Sequence, residues 1–265
     1  MLVNQIESDL YLFVGDTYQS NSTIFIAGNE ALLVDALGSA SDAERLRKFV
    51  VEDLRKEVRF IISTHYFSDH IAALQVFPRA TVIAHENYAD TFNSERYRSV
   101  EEEAYFVEPD IVLTAGIKIR WGRFALDVFH NPGHTASTLT IDVPEADLLM
   151  AGDTVVGNIV YLAYSTPKRF FTALERLRQF PRSRLISSHG NVRSTSSVGN
   201  AISYLESLRD EAIATGASAG AAGSFLNAPL EKFMAAGIEP TKFERVFHER
   251  NLRTIVERKL FAAEA

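Results

Sequence analysis

A chain of 265 residues with 46% hydrophobic content has ample material for a large core. Acidic residues outnumber basic ones, 34 to 27, giving a formal charge of −7, and no run of Lys and Arg tracks a phosphate backbone, which argues against nucleic acid as partner. The absence of cysteine excludes disulfides, thiolate nucleophiles and Cys-based zinc sites, so any metal must sit on nitrogen and oxygen ligands.

The opening MLVNQIESDLYLFVGD has neither a basic leader nor a continuous apolar stretch with a small-residue cleavage site. No segment reaches the ~18 consecutive apolar residues of a membrane span. A cytoplasmic protein with no membrane partner is expected. YLFVG (11 to 15), TIFIA (23 to 27) and ALLVD (31 to 35) read as consecutive strands. Ser41 and Asp42 can cap a helix through about Leu54, with Leu46, Phe49, Val50 and Leu54 at helical spacing, and VRFIIS (58 to 63) reads as a buried strand. From 111 to 151 the chain is β-rich again: IVLTAGIKIRW, FALDVFH, STLTIDV and DLLMAGD, separated by short turns. PKRFFTALERLRQF (167 to 180) reads as an amphipathic helix and RLISS (184 to 188) as one more buried strand. Two β-rich halves, each carrying helices, predict an α/β fold of the αββα sandwich type over residues 1–195. Residues 196–265 read as a helical C-terminal extension: a helix over 196–215, the small-residue breaker GASAGAAGS (216 to 224), and a charged amphipathic helix over 243–260.

The chemistry lies where strands end. THYFSDH (64 to 70) begins at the end of a predicted strand, and three more loops share that placement: NPGHT with His134, MAGDT with Asp153 and SSHG with His189. Loops beyond strand ends converge on one crevice in open α/β sheets. Imidazole and carboxylate together suit zinc, iron or manganese, and Gly133, Gly152 and Gly190 allow tight turns beside the candidate ligands. Thr64, Thr135 and Ser137 carry hydroxyls able to orient ligands, although turn formation explains each of them singly. His85 reads as a capping or surface group opening a helix, His130 as a strand-end residue, and His248 as part of a solvated helix face.

The ordered set HxxxDH, PGHT, GDT and HG resembles the metallo-β-lactamase superfamily of metal-dependent hydrolases over roughly residues 8–195. The resemblance implies two adjacent metals, with His65 and His134 serving the first, Asp69, His70 and His189 the second, and Asp153 bridging them. Asp69 would also orient the attacking hydroxide. In that superfamily the first loop reads HxHxDH, and Phe67 stands where its middle histidine would be. The implied activity is hydrolysis of an ester, thioester, lactone or related bond in a small-molecule substrate, by a metal-bound hydroxide at an altered dinuclear site. One or two zinc ions per chain are expected. Two further readings follow from the altered loop. One is a mononuclear iron dioxygenase acting on a thiol or persulfide, with iron on His65, His134 and Asp153; the other is a metal-binding module with lost or weak catalysis.

Residues 86–110 are a candidate lid, or a surface segment whose aromatic side chains pack on the sheet. Tyr161 and Tyr164, soon after Asp153, are candidates to reach the pocket. Lactonases of the superfamily carry a tyrosine three residues after the bridging Asp, whereas Val156 stands there here, which lowers the lactonase reading. The C-terminal helical segment resembles the extensions of the superfamily's glutathione-thioester hydrolases, without a matching glutathione-binding motif. Helix 243–260 suits either covering the active-site mouth or pairing two chains, so a homodimer is one expectation.

Overall fold

Alternation with a period of two sorts the first half of the chain into two faces of one sheet. In the strand Glu30–Val34, Ala31 and Leu33 belong to one apolar cluster and Leu32 and Val34 to another. The computed structural model describes residues 1–96, 98–219 and 223–262. A seven-stranded sheet runs in spatial order β1 (Leu2–Glu7), β2 (Leu10–Val14), β3 (Asn21–Ala27), β4 (Glu30–Val34), β5 (Glu57–Ile62), β6 (Thr81–His85) and β7 (Ile111–Leu113). Pairing is antiparallel from β1 to β4 and parallel from β4 to β7. Between its strands lie α1 (Ala40–Lys48), α2 (Tyr88–Ser94) and α3 (Val100–Glu103). The second sheet comprises β8 (Gly116–Trp121), β9 (Phe124–His130), β10 (Leu139–Val143), β11 (Leu148–Gly152), β12 (Arg184–Ser187) and the short edge β13 (Arg193–Ser194). Pairing is antiparallel from β8 to β11 and parallel between β11 and β12.

The two sheets meet through Leu12, Phe25, Leu32 and Ile62 on one side and Phe124, Leu126, Ile141 and Ile186 on the other. Phe25 and Phe124 touch edge to face with ring centres 5.1 Å apart, and the Trp121 indole N–H donates to the Phe25 carbonyl at 2.9 Å. The other face of the first sheet, with Phe13, Ile24, Leu33 and Ile61, is covered by Leu46 and Val50. The αββα architecture expected from the sequence is therefore present: two mixed sheets flanked by helices, followed by C-terminal helices.

Contacts divide the chain into two compact units: Met1–Asn131, Ala136–Gly152 and Arg182–Arg193 form the first, and Pro132–Thr135, Asp153–Pro181 and Ser194–Ala265 the second. The first contains both sheets with α1 to α3. The second contains α4 (Pro167–Arg178), α5 (Ser196–Ala214) and α6 (Lys242–Arg258). Thr166 caps α4 with Pro167 at its first position, and Thr241 and Glu244 close a reciprocal capping box on α6. Glu244 is fully buried because it does double duty, also accepting from the backbone N–H and side-chain amide of Asn158. Asn251, one helical turn from His248, donates to the Val160 carbonyl and accepts from the Leu162 N–H, so two polar side chains of α6 hold the backbone of 158–162.

Several sequence expectations need correction. The α1 cap is Ser39, whose hydroxyl accepts from the Asp42 N–H, in place of Ser41 and Asp42; the α-helix ends at Lys48 and continues as a π-helical turn, Phe49–Asp53. Strand β1 was not signalled, because as a half-exposed edge strand its sequence LVNQIE carries little apolar alternation. His85 does not open a helix but ends β6, buried, with its ring stacked on His130 at 3.7 Å between centres. His248 is not on a solvated face. Its Nε2–H donates to the Ala228 carbonyl at 2.9 Å, which leaves Nδ1 to accept from the Tyr204 hydroxyl at 3.0 Å. In the breaker stretch 216–224, residues 220–222 lie outside the described residues.

Candidate metal centre

Parallel pairing of β4, β5 and β6 sets their carboxyl ends on one edge of the first sheet, and the residues that follow carry the polar chemistry: Asp35 after β4, then Ser63, Thr64 and His65 after β5. Asp35 is buried and adopts a left-handed backbone, φ 59°, which an aspartate tolerates better than most side chains. Its Oδ1 accepts from the Thr64 N–H at 2.7 Å, and its Oδ2 accepts from the Thr64 hydroxyl at 2.9 Å and the Ser188 hydroxyl at 2.6 Å. With its hydrogen committed to Asp35, the Thr64 oxygen is an acceptor for the Nδ1–H of His65, 3.1 Å away. A carboxylate, a hydroxyl and an imidazole thus form a relay that fixes the His65 tautomer and leaves Nε2 as the donor atom. Burial pushes the Asp35 carboxyl up, opposed by the electrostatic influence of His70 and by the hydrogen bonds from Ser188 and Thr64.

Beyond His65 the loop is held from three sides. The Tyr66 hydroxyl donates to the Val107 carbonyl at 2.6 Å, the Ser68 N–H and hydroxyl both donate to Glu95 at 2.9 and 2.8 Å, and Ala36 N–H donates to the His70 carbonyl at 2.8 Å. Phe67 is buried, with its ring edge-on to His65 at 5.4 Å between centres. A 3-10 turn, Ser68–His70, then brings Asp69 and His70 side by side. On the opposite sheet His189 follows β12, and its loop is tied to the 18–21 turn: Asn21 N–H donates to the Ser188 carbonyl, Gly190 N–H to the Gln19 carbonyl. The His189 Nδ1–H donates to the Tyr18 carbonyl at 2.9 Å, so Nε2 is again the donor atom, 3.6 Å from Asp69 Oδ2. His70 Nε2 lies 3.4 Å from Asp69 Oδ1.

Asp69, His70 and His189 each offer one ligand atom, all within 4.8 Å of one another. Two neutral imidazoles with one carboxylate, their tautomer at His189 fixed by a backbone carbonyl, is a donor set that fits a divalent first-row metal. His65 adjoins this group, its ring centre 4.4 Å from that of His70. In the second unit His134 and Asp153 are both buried, with His134 Nε2 4.0 Å from Asp153 Oδ2. The glycines behave as their spacing suggests at two of three positions: Gly152 and Gly190 have φ of 55° and 75°. Gly133 is needed for room instead, since a Cβ there would stand 2.9 Å from Ala173 and Thr154.

Two supporting residues escaped the sequence reading. Asp35 closes a strand, ALLVD, in the same placement as the other four loops, which was a usable signal; Glu95 sits in a charged stretch where nothing distinguishes it. Residues 86–110 pack, as the second of the two readings had it: Tyr88 and Phe106 lie against the buried Tyr66 at 5.3 and 5.9 Å between ring centres. Tyr97 lies outside the described residues. Tyr161 and Tyr164 flank His134, with ring centres 6.0 and 6.2 Å from it. Of the three hydroxyls, Thr64 acts on His65 as described, while Ser137 pairs with Thr91 at 2.7 Å.

The histidines outside this group make stability depend on pH. Burial lowers the pKa of both His85 and His248 from 6.5, with the charge of His130 adding to the effect at His85. Each therefore binds its proton more weakly when folded than when unfolded. Their contribution is complete above about pH 6.5 and is lost as pH falls through the depressed folded-state values. A urea midpoint that drops between pH 7.5 and 5.5, with a shallower drop in His248→Gln, is expected; an identical slope in the two proteins would remove His248 from this account.

Comparison with known proteins agrees with the geometry. A family model, the metallo-beta-lactamase superfamily, matches residues 15–189. A hydroxyacylglutathione hydrolase of Thermosynechococcus vestitus is 28% identical over 134 residues, covering 49% of this chain and 48% of that protein. Another, from Rhodobacter capsulatus, is 27% identical over 143 residues, covering 53% and 51%. The chain spans about half the length of the curated relatives it matches. Among solved structures, a metallo-beta-lactamase from Pontibacter korlensis aligns with a TM-score of 0.65 at 21% identity, over 77% of this chain and 98% of that one. The inverting sec-alkylsulfatase Pisa1 from Pseudomonas sp. aligns with a TM-score of 0.72 at 14% identity, over 97% of this chain and 50% of that one. These two show the fold alone. Among the described residues no helix is long and apolar enough to cross a membrane.

Proposed function

Because the chain belongs to the metallo-beta-lactamase superfamily, we propose that it is a metal-dependent hydrolase of a small-molecule ester or thioester, with six protein ligands for two metal ions. Asp69, His70 and His189 would hold one ion, and His65, His134 and Asp153 would supply the remaining ligands. The observation that carries this reading is the Asp69, His70 and His189 group, whose ligand atoms lie within 4.8 Å of one another. The matches to hydroxyacylglutathione hydrolases favour a thioester over a lactone. Bound zinc supplies Lewis acidity and lowers the pKa of water towards neutrality.

The protein's own part is positional. The Asp35–Thr64 relay holds His65 in one tautomer and the Tyr18 carbonyl does the same for His189; Asp69, reaching towards His70 with one oxygen and His189 with the other, would accept a proton from an attacking water. Phe67 supplies no ligand, so the position built on His65 and His134 is the weaker of the two.

Zinc titration of the metal-free protein should show two sites of unequal affinity. Phe67→His should tighten the weaker one by at least the roughly tenfold to hundredfold that an outer partner of a ligand is worth, because it adds an imidazole ligand itself. A hydroxyacyl-glutathione thioester should be cleaved by the zinc-loaded protein, lose turnover on chelation and regain it on adding zinc back. Hydrolysis that survives complete metal removal would overturn the proposal. So would a two-zinc protein that cleaves no thioester or aryl ester while its iron-loaded form consumes oxygen with a persulfide.

A further inference from the structure

Four aromatic rings of the second unit form a connected series that begins at His134. Tyr161 lies nearly parallel to the imidazole at 6.0 Å and Tyr164 edge-on at 6.2 Å; Tyr161 touches Phe247 of α6 at 4.7 Å, and Phe247 touches Phe243 at 4.6 Å. Arg250 stacks over Phe247 at 5.5 Å and steadies that ring. Rings that serve the core of this unit, such as Phe170, Tyr204 and Phe225, are 0% exposed. The four in the series are only half-buried. A row of partly open, flat apolar faces leading away from one proposed ligand is a surface suited to a flat or extended apolar group.

We propose that Tyr161, Tyr164, Phe243 and Phe247 form the acyl-recognition wall of the enzyme, and that its substrates are thioesters or esters whose acyl part ends in an aryl or extended apolar group. The inference rests on the hydrolase reading and adds the substrate's acyl class to it. In the reaction water adds to the acyl carbon, the C–S bond breaks, and the thiol leaves with a proton while the acid is released. Helix α6 acquires a task through this wall: two of the four rings are its own, and its buried Glu244 and Asn251 hold the 158–162 backbone that leads to Tyr161 and Tyr164.

The test compares acetyl and 4-phenylbutanoyl thioesters of N-acetylcysteamine on the zinc-loaded protein, and separately measures saturation-transfer NMR of 4-phenylbutyrate with the metal-free protein. The phenylbutanoyl thioester should be preferred in kcat/KM by about tenfold or more, the discrimination an apolar pocket supplies. Phe247→Ala should erase most of that preference and the NMR contacts; Phe247→Leu, which keeps apolar volume without a flat ring, should fall between and covers the case in which the alanine variant fails to fold. An unchanged preference in folded Phe247→Ala or Phe247→Leu, or NMR contacts indifferent to both, would overturn the wall. Should neither thioester be cleaved while 4-phenylbutyrate still binds and Phe247→Ala abolishes it, the hydrolase reading fails and the binding surface stands.

Discussion

Replacing Asp35 by alanine should cost about 4 kcal/mol or more of folding stability, as much as truncating a large buried core side chain. The carboxylate accepts from three donors, the Thr64 N–H, the Thr64 hydroxyl and the Ser188 hydroxyl, all buried. Each donor left without its acceptor costs roughly 1–3 kcal/mol. The backbone at φ 59° adds roughly 1 kcal/mol, because alanine lacks the short polar side chain that eases a left-handed conformation. Against the ~5–15 kcal/mol by which domains are stable, this is a large share. Asp35→Asn keeps the backbone preference and one carbonyl acceptor, so its loss should be about half as great. Urea unfolding of the metal-free proteins reads both values; a loss under about 1 kcal/mol for the alanine variant would show that the relay is not structural. The same substitution frees the Thr64 hydroxyl from its fixed direction, and zinc affinity should fall with it, by roughly tenfold to a hundredfold.

Asp35 also illustrates which parts of this molecule can be read in its sequence. The strand-end loops were legible because burial makes the strands apolar and the chemistry makes the loops polar, so VRFIIS followed by THYFSDH announces both at once. The helices α4 and α6 were legible from their spacing to within two residues at each end. Interactions that join distant segments were not. His248 and Glu244 lie in FERVFHER, where the surrounding charges mask them, and only the positions of Tyr204, Ala228 and Asn158 explain why both are buried. The aromatic run 86–110 gave a lid and a packed segment equal standing, because periodicity does not say which residue a ring will meet; Tyr66 decides it. The edge strand β1 was invisible for a related reason, since pairing with β2 relies on backbone groups that any sequence possesses.

The substitution that separates ligand from scaffold most cleanly is at His189. Its ring is almost fully buried, Nδ1–H is committed to the Tyr18 carbonyl, and Nε2 stands 3.6 Å from Asp69 Oδ2. His189→Asn keeps a side-chain N–H on the near side for Tyr18 and has nothing to offer on the far side. His189→Ala removes both. A ligand role predicts that zinc at this position weakens by about a hundredfold or more in the two variants alike, with thioester turnover falling in step, because each leaves only Asp69 and His70 of the group. A scaffolding role predicts that asparagine restores what alanine loses. Stability should divide differently from metal binding: the lost hydrogen bond costs about 1 kcal/mol in the alanine variant and little in the asparagine variant. Zinc titration and urea unfolding on the same three proteins therefore give two patterns that cannot be confused, and an asparagine variant that binds two zinc ions as tightly as the parent would remove His189 from the metal site.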